Sequence, residues 1–144
     1  MKTILVTGGA GFIGSHTCLL LLEKGYKVYV IDSFINSSPK SLERVLRLYN
    51  QKKQKSCENI KVLYGDLLDI KFLDKAFLEI SKNNNQIDGV IHFAGLKSVS
   101  ESINNALKYW EVNVSGTINL LKMMDKYLCK TLVFSSSATV YAAN

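Results

Sequence analysis

Two rhythms of apolar residues alternate along the chain. The short runs Thr3-Ile4-Leu5-Val6-Thr7 and residues 27–31, 59–64, 88–93 and 131–134 are four to six residues long and rich in β-branched side chains. Their length and composition predict five strands. Between them apolar residues recur every three to four positions, the spacing of one helix face. A helix follows the first run and closes at Gly25, a left-handed C-cap. A second helix is predicted from about residue 41 to 53, and a third carries Phe72, Ala76, Phe77 and Ile80. A single long helix is predicted over about residues 102–127, with a stripe of Ile103, Leu107, Trp110, Val114, Ile118 and Leu121. Residues 33–40, which hold the only proline, and 82–86 are polar loops. Strands in alternation with helices imply an α/β fold: a doubly wound parallel sheet, helices on both faces, truncated after the fifth strand, with ligands at the carboxyl ends of the strands.

The first run breaks into Gly8-Gly9-Ala10-Gly11-Phe12-Ile13-Gly14. Gly8 permits a sharp turn, Gly11 lets a pyrophosphate reach the backbone, and Gly14 lets the next helix pack closely. The amides of Phe12 and Ile13 then open a helix, where unpaired donors and the dipole attract anionic oxygens. The second run ends at Asp32, eighteen positions beyond Gly14. A carboxylate there can accept both ribose hydroxyls of an adenosine. Neither Ser33 nor Phe34 supplies a guanidinium for a 2′-phosphate, so NAD is expected rather than NADP. Strand, glycines, helix, strand and acid in this order predict a Rossmann-type dinucleotide site.

Bulk properties leave this picture standing. At 144 residues the chain has the length of one domain, and 47% hydrophobic with 21% charged residues is ordinary for a soluble globular protein. No apolar run approaches the roughly 20 residues of a membrane helix, and Met1-Lys2-Thr3 starts no secretory leader, so a cytoplasmic protein is expected. Cys18, Cys57 and Cys129 are widely spaced and form no C-x-x-C pair, which fits reduced thiols and neither disulfides nor zinc. The net charge of +6 is scattered apart from Lys52-Lys53-Gln54-Lys55. That run has no interleaved aromatics and sits at a helix end, so neither a nucleic-acid nor a membrane partner is expected. His92, inside an apolar strand, is read as a satisfied core histidine, and Met123-Met124 as core or subunit contact.

Three segments carry more. Val6-Thr7-Gly8-Gly9-Ala10-Gly11-Phe12-Ile13-Gly14-Ser15-His16-Thr17, Ile91-His92-Phe93-Ala94-Gly95-Leu96-Lys97 and Phe134-Ser135-Ser136-Ser137-Ala138-Thr139-Val140-Tyr141 resemble the UDP-glucose 4-epimerases, extended short-chain dehydrogenases/reductases. The resemblance implies an NAD-dependent interconversion of UDP-galactose and UDP-glucose through a 4-keto intermediate. It implies that Phe12 and Ile13 hold the pyrophosphate, with Gly8, Gly11 and Gly14 as cofactor-binding positions beside them, Asp32 the adenosine ribose, and Asn36 with Ser37 the phosphate side of that ribose. Asp66 and Leu67 would meet the adenine, and Phe93, Ala94, Gly95, Lys97 and Asn113 the rest of the cofactor. Ser137 matches the catalytic serine. A homodimer is also implied, with residues 102–127 forming one of its two interface helices.

The chain departs from this family in four places. Val112 stands for the first of an asparagine pair, Ser33 for an asparagine after the ribose acid, and Ala142 for a glycine after Val140-Tyr141. The family's Tyr-x-x-x-Lys and its uridine-binding domain lie beyond Asn144, so the expectation is the N-terminal NAD-binding part of an epimerase, inactive alone. Tyr49-Asn50-Gln51-Lys52-Lys53 satisfies the spacing but lies between the second and third strands, remote from the site. Another NAD-dependent nucleotide-sugar enzyme, such as a dehydratase, and a non-catalytic NAD-binding module are the other readings.

Overall fold

A computed structural model describes residues 1–54, 57–82 and 86–136. The strands β1 Thr3–Thr7, β2 Lys27–Asp32, β3 Ile60–Tyr64, β4 Ile87–His92 and β5 Leu132–Phe134 form one parallel sheet in the order β3-β2-β1-β4-β5. From β1 the chain winds outward to β3, then returns to lay β4 on the other side of β1. The carboxyl ends of β1 and β4 therefore flank the point where the winding reverses, the position at which open α/β sheets hold ligands.

Helices α1 Phe12–Glu23, α2 Pro39–Lys53 and α3 Ile70–Ser81 follow the first three strands. Alternation along each strand sends neighbouring side chains to opposite faces, so the sheet has two cores. Val6, Val28 and Val30 pack with Cys18 and Leu22 of α1 and with Leu42, Val45 and Tyr49 of α2. Leu5, Tyr29, Ile31 and Val90 pack on the other face with Leu73, Phe77 and Ile80 of α3 and with Leu120, Met123 and Met124. The doubly wound fold is thus present, with helices on both faces. Gly25 closes α1 at φ +82°, as expected, with the Gly25 and Tyr26 amides donating to Leu22 and Leu21 at 3.0 Å. Burial pushes the Cys18 thiol up to about 12, which keeps it protonated and inert.

Two expectations change. The second helix starts at Pro39 rather than at residue 41, because Ser38 caps it and proline is suited to a first helical position. The long helix over residues 102–127 is instead α4 Val99–Asn104, α5 Ala106–Trp110, a π-helical turn Glu111–Ser115 and α6 Gly116–Lys126. Asn105, at φ −131° and ψ 46°, interrupts it. The anticipated stripe is exposed: Leu107 keeps 85% and Trp110 67% of its surface, and Ile103, Val114, Ile118 and Leu121 are exposed too. The buried face is Gly116, Leu120, Met123 and Met124. The helix docks through its smallest residue, since a Cβ on Gly116 would lie 3.2 Å from Leu67 Cβ. Spacing shows that a helix has apolar faces; which one meets the sheet is decided by close approach.

Candidate functional site

The glycine turn after β1 sets the floor of the site. Gly8 adopts φ +69°, donates to the Ile31 carbonyl at 2.8 Å and accepts the Gly11 amide at 3.1 Å. A Cβ on Gly8 would lie 2.5 Å from the Ala94 nitrogen, and one on Gly14 would lie 2.3 Å from the Gly8 oxygen. Both distances are below any real contact, so this turn locks onto the β4 loop and onto α1 only as glycine. Gly11 is the N-cap of α1 and brings no side-chain cap. The first amides of the helix, at Phe12 and Ile13, are left for an outside acceptor.

An open groove runs from this turn across the ends of β2, β3 and β4. Gly8, Gly11, Phe12, Ile13, Gly14, Asp32, Asn36, Ser37, Asp66, Leu67, Phe93, Ala94, Gly95 and Lys97 all line it. Asp32 is buried, with 7% of its surface exposed. Its Oδ2 accepts the Ala10 amide at 2.9 Å, and its Oδ1 accepts the Phe34 amide at 2.9 Å and the Ser37 hydroxyl at 2.8 Å. Asp66 Oδ1 accepts the Leu68 amide at 2.9 Å, while Asn119, absent from the sequence reading, donates to the Leu67 carbonyl at 3.1 Å and so holds this corner of the groove. Asn36 Nδ2 donates to the Gly95 carbonyl at 3.4 Å, tying the β2 loop to the β4 loop. Val112, where the resembled family has asparagine, also lines the groove.

Asn113 does not line this groove. It lines a second cavity on the β5 side, whose wall is shared through Ile13, Phe93, Ala94, Gly95, Leu96 and Lys97. Its amide is spent on one backbone residue: the Leu96 N–H donates to Oδ1 at 2.8 Å, and Nδ2 donates to the Leu96 carbonyl at 3.0 Å. In this structure the Asn113 amide clamps the loop after β4. A hydrogen-bond chain extends it. Thr117 Oγ1 donates to the Asn113 carbonyl at 2.6 Å within the π turn, so it must accept at 2.9 Å from His92 Nε2–H. That fixes the tautomer, and His92 Nδ1 accepts the Thr7 hydroxyl at 2.5 Å. Burial pushes the His92 pKa down to about 4, so the ring is neutral at pH 7. His92 is a satisfied core residue, as its strand suggested. Thr7 and Thr117 carried no signal in the sequence, because a threonine pair matters here only once the fold sets it on either side of one imidazole.

Ser135 and Ser136, after β5, line the second cavity; Ser137 lies outside the described residues. Tyr49 of the stray Tyr-x-x-x-Lys is buried in the α1–α2 core, while its lysine, Lys53, is exposed at the end of α2. No helix among the described residues is long and apolar enough to cross a membrane.

Comparisons with known proteins agree with this architecture. A family model described as GDP-mannose 4,6 dehydratase matches residues 5–143. The chain is 50% identical over 141 residues to a UDP-glucose 4-epimerase of Schizosaccharomyces pombe, covering 96% of this chain and 36% of that protein. It is 49% identical to the UDP-glucose 4-epimerase of Bacillus subtilis, covering 96% and 37%. Among solved structures it superposes with a TM-score of 0.83 at 47% identity on UDP-glucose 4-epimerase from Bifidobacterium longum in complex with NAD+ and UDP, covering 97% of this chain and 38% of that one. The enzyme from Stenotrophomonas maltophila with bound NAD and formylated UDP-arabinopyranose gives 0.85 at 38% identity, covering 100% and 39%. The chain thus spans somewhat over a third of the length of these relatives. It belongs to the GDP-mannose 4,6 dehydratase family, and within that family it is a relative of the UDP-glucose 4-epimerases.

Proposed function

We propose that this chain is the NAD-holding part of a UDP-glucose 4-epimerase. The observation that carries the reading is one groove, at the reversal point of the sheet, that joins the uncapped start of α1 to a buried carboxylate at the end of β2. The residues fit a dinucleotide: a side chain at Gly8 or Gly14 would fill the turn, and the free amides of α1 suit a diphosphate. In this reading Phe12 and Ile13 donate to phosphate oxygens, Asp32 accepts from the adenosine ribose, and Asp66 accepts from the adenine amino group. Lys97, the only lysine or arginine among the described lining residues of the groove, offsets the diphosphate charge. When bound, NAD supplies a reversible hydride acceptor, the chemistry needed to pass between UDP-glucose and UDP-galactose through a 4-keto sugar. Ser137, which follows two serines of the second cavity, orients the reacting sugar hydroxyl by hydrogen bonds. Asn113 acts on the site through Leu96.

The reading is tested by calorimetric titration. NAD binds at least about tenfold more tightly than NADP, because Asp32 repels a 2′-phosphate and no guanidinium stands beside it. Asp32→Ala weakens NAD by about 1–3 kcal/mol, the cost of unpaired hydrogen-bonding groups. NADP binding as tightly as NAD would remove the proposal. The 144 residues by themselves turn over no UDP-galactose, since the tyrosine of their one Tyr-x-x-x-Lys, Tyr49, is buried in a core, and a coupled assay giving enzyme-like rates would refute this. We further propose that the exposed stripe from Ile103 to Leu121 is where two copies meet, to be checked by sedimentation across a concentration series.

A further inference from the structure

The Asp32 carboxylate is short of acceptor capacity for the task proposed for it. Two oxygens offer about four lone-pair positions, and three are filled from within the chain, two of them on Oδ1. A ribose diol gripped at both hydroxyls needs two. One internal donor must therefore leave, and the three candidates are not equivalent. The Ala10 amide is built into the glycine turn. The Phe34 amide is held by a backbone at φ +55° whose ring stacks on Tyr64 at 5.7 Å and 7° between planes. Ser37 is different: its hydroxyl reaches Asp32 by one side-chain torsion, while its backbone is fixed between Asn36, tied to Gly95, and Ser38, the cap of α2. A single χ1 rotation breaks that bond without moving the loop, on a fast timescale.

We propose that Ser37 is an exchangeable internal occupant of the ribose site: its hydroxyl, bonded to Asp32 at 2.8 Å, yields its place to an adenosine ribose hydroxyl. This rests on the reading of the groove given above. It makes Ser37 a competitor with the cofactor, the opposite of the contact that the family resemblance implied. The consequence is a tuned affinity, in which the ribose hydroxyl must outbid a hydrogen bond that is already charge-assisted.

Titration of the whole chain with NAD and with analogues lacking the adenosine 2′- or 3′-hydroxyl separates the possibilities. Ser37→Ala removes the competitor, so NAD binds about three- to tenfold more tightly, whereas the analogue lacking the displacing hydroxyl gains nothing. Ser37→Thr keeps a hydroxyl on the same torsion and so does not reproduce the gain of Ser37→Ala. If Ser37→Ala leaves NAD unchanged or weakens it, or tightens both analogues as much as NAD, the exchange is overturned while the groove reading stands. If the chain binds no NAD, or Asp32→Ala binds it undiminished, the groove reading fails and takes the exchange with it.

Discussion

The two halves of the site are built from different materials. On the α1 side the walls are backbone: a turn that is tight because Gly8 and Gly14 have no side chains, and helix amides left uncapped. On the β5 side they are held by side chains, through a chain of hydrogen bonds from Thr7 through His92 and Thr117 to the Asn113 carbonyl, and from the Asn113 amide to Leu96. A backbone site tolerates no added atoms but depends on no single hydrogen bond. A side-chain site tolerates small changes in volume but is exposed to loss of any donor and to pH. The halves should therefore fail in different ways.

The sharpest contrast is between two glycines three residues apart. Gly8→Val puts a β-branched residue at φ +69° and its Cβ against Ala94 and Phe93 backbone, and should cost about 3–5 kcal/mol of stability in urea unfolding. Gly11→Ala meets only the Gly8 oxygen at 3.2 Å and should cost about 1 kcal/mol while weakening NAD, because the new methyl stands in the groove. Equal losses of stability for the two would show that the turn is not locked as described.

Acid should strain the other half first. His92 has its pKa lowered to about 4 in the fold from about 6.5 when unfolded, so between these values the unfolded chain binds the extra proton. The stabilisation is whole above pH 6.5 and is lost as pH falls toward 4, by on the order of 3 kcal/mol. Urea unfolding at pH 7 and 4.5 should show this loss, and His92→Gln should flatten it. The slope that remains belongs to carboxylates such as Asp74, held below its usual range by hydrogen bonds from Lys126 and Tyr127. A slope identical in His92→Gln would place the acid sensitivity elsewhere.

Asn113→Ala should cost about 1–3 kcal/mol, since it strands the Leu96 N–H and C=O, and should weaken NAD less than Asp32→Ala does. If it weakens NAD more, Asn113 is a direct contact and not a clamp. The smallest effect is expected outside both halves. Trp110→Ser should change monomer stability by under about 0.5 kcal/mol, because the ring is 67% exposed. Sedimentation should nevertheless show weaker association; a stability loss as large as that of a core residue would mean that the ring is covered within one chain.

Much of this molecule follows from local rules. Five strands, the glycine turn, the cap at Gly25 and the acid at Asp32 are set by short β-branched runs, by backbone freedom at glycine and by position relative to a strand end, and each needs only its own neighbourhood. The alternation of strands and helices gives a parallel sheet, whereas the order β3-β2-β1-β4-β5 belongs to the tertiary structure. What tertiary structure alone decided is pairwise. Asn113 meets Leu96 across 17 positions, His92 lies between Thr7 and Thr117, and Ser37 fills an acceptor on Asp32. The helix over residues 102–127 shows the same limit: its apolar spacing marks two faces, and only the close fit of Gly116 on Leu67 chose which one was buried. A hydrogen bond or a contact belongs to two residues at once, and no periodicity along one chain names the partner.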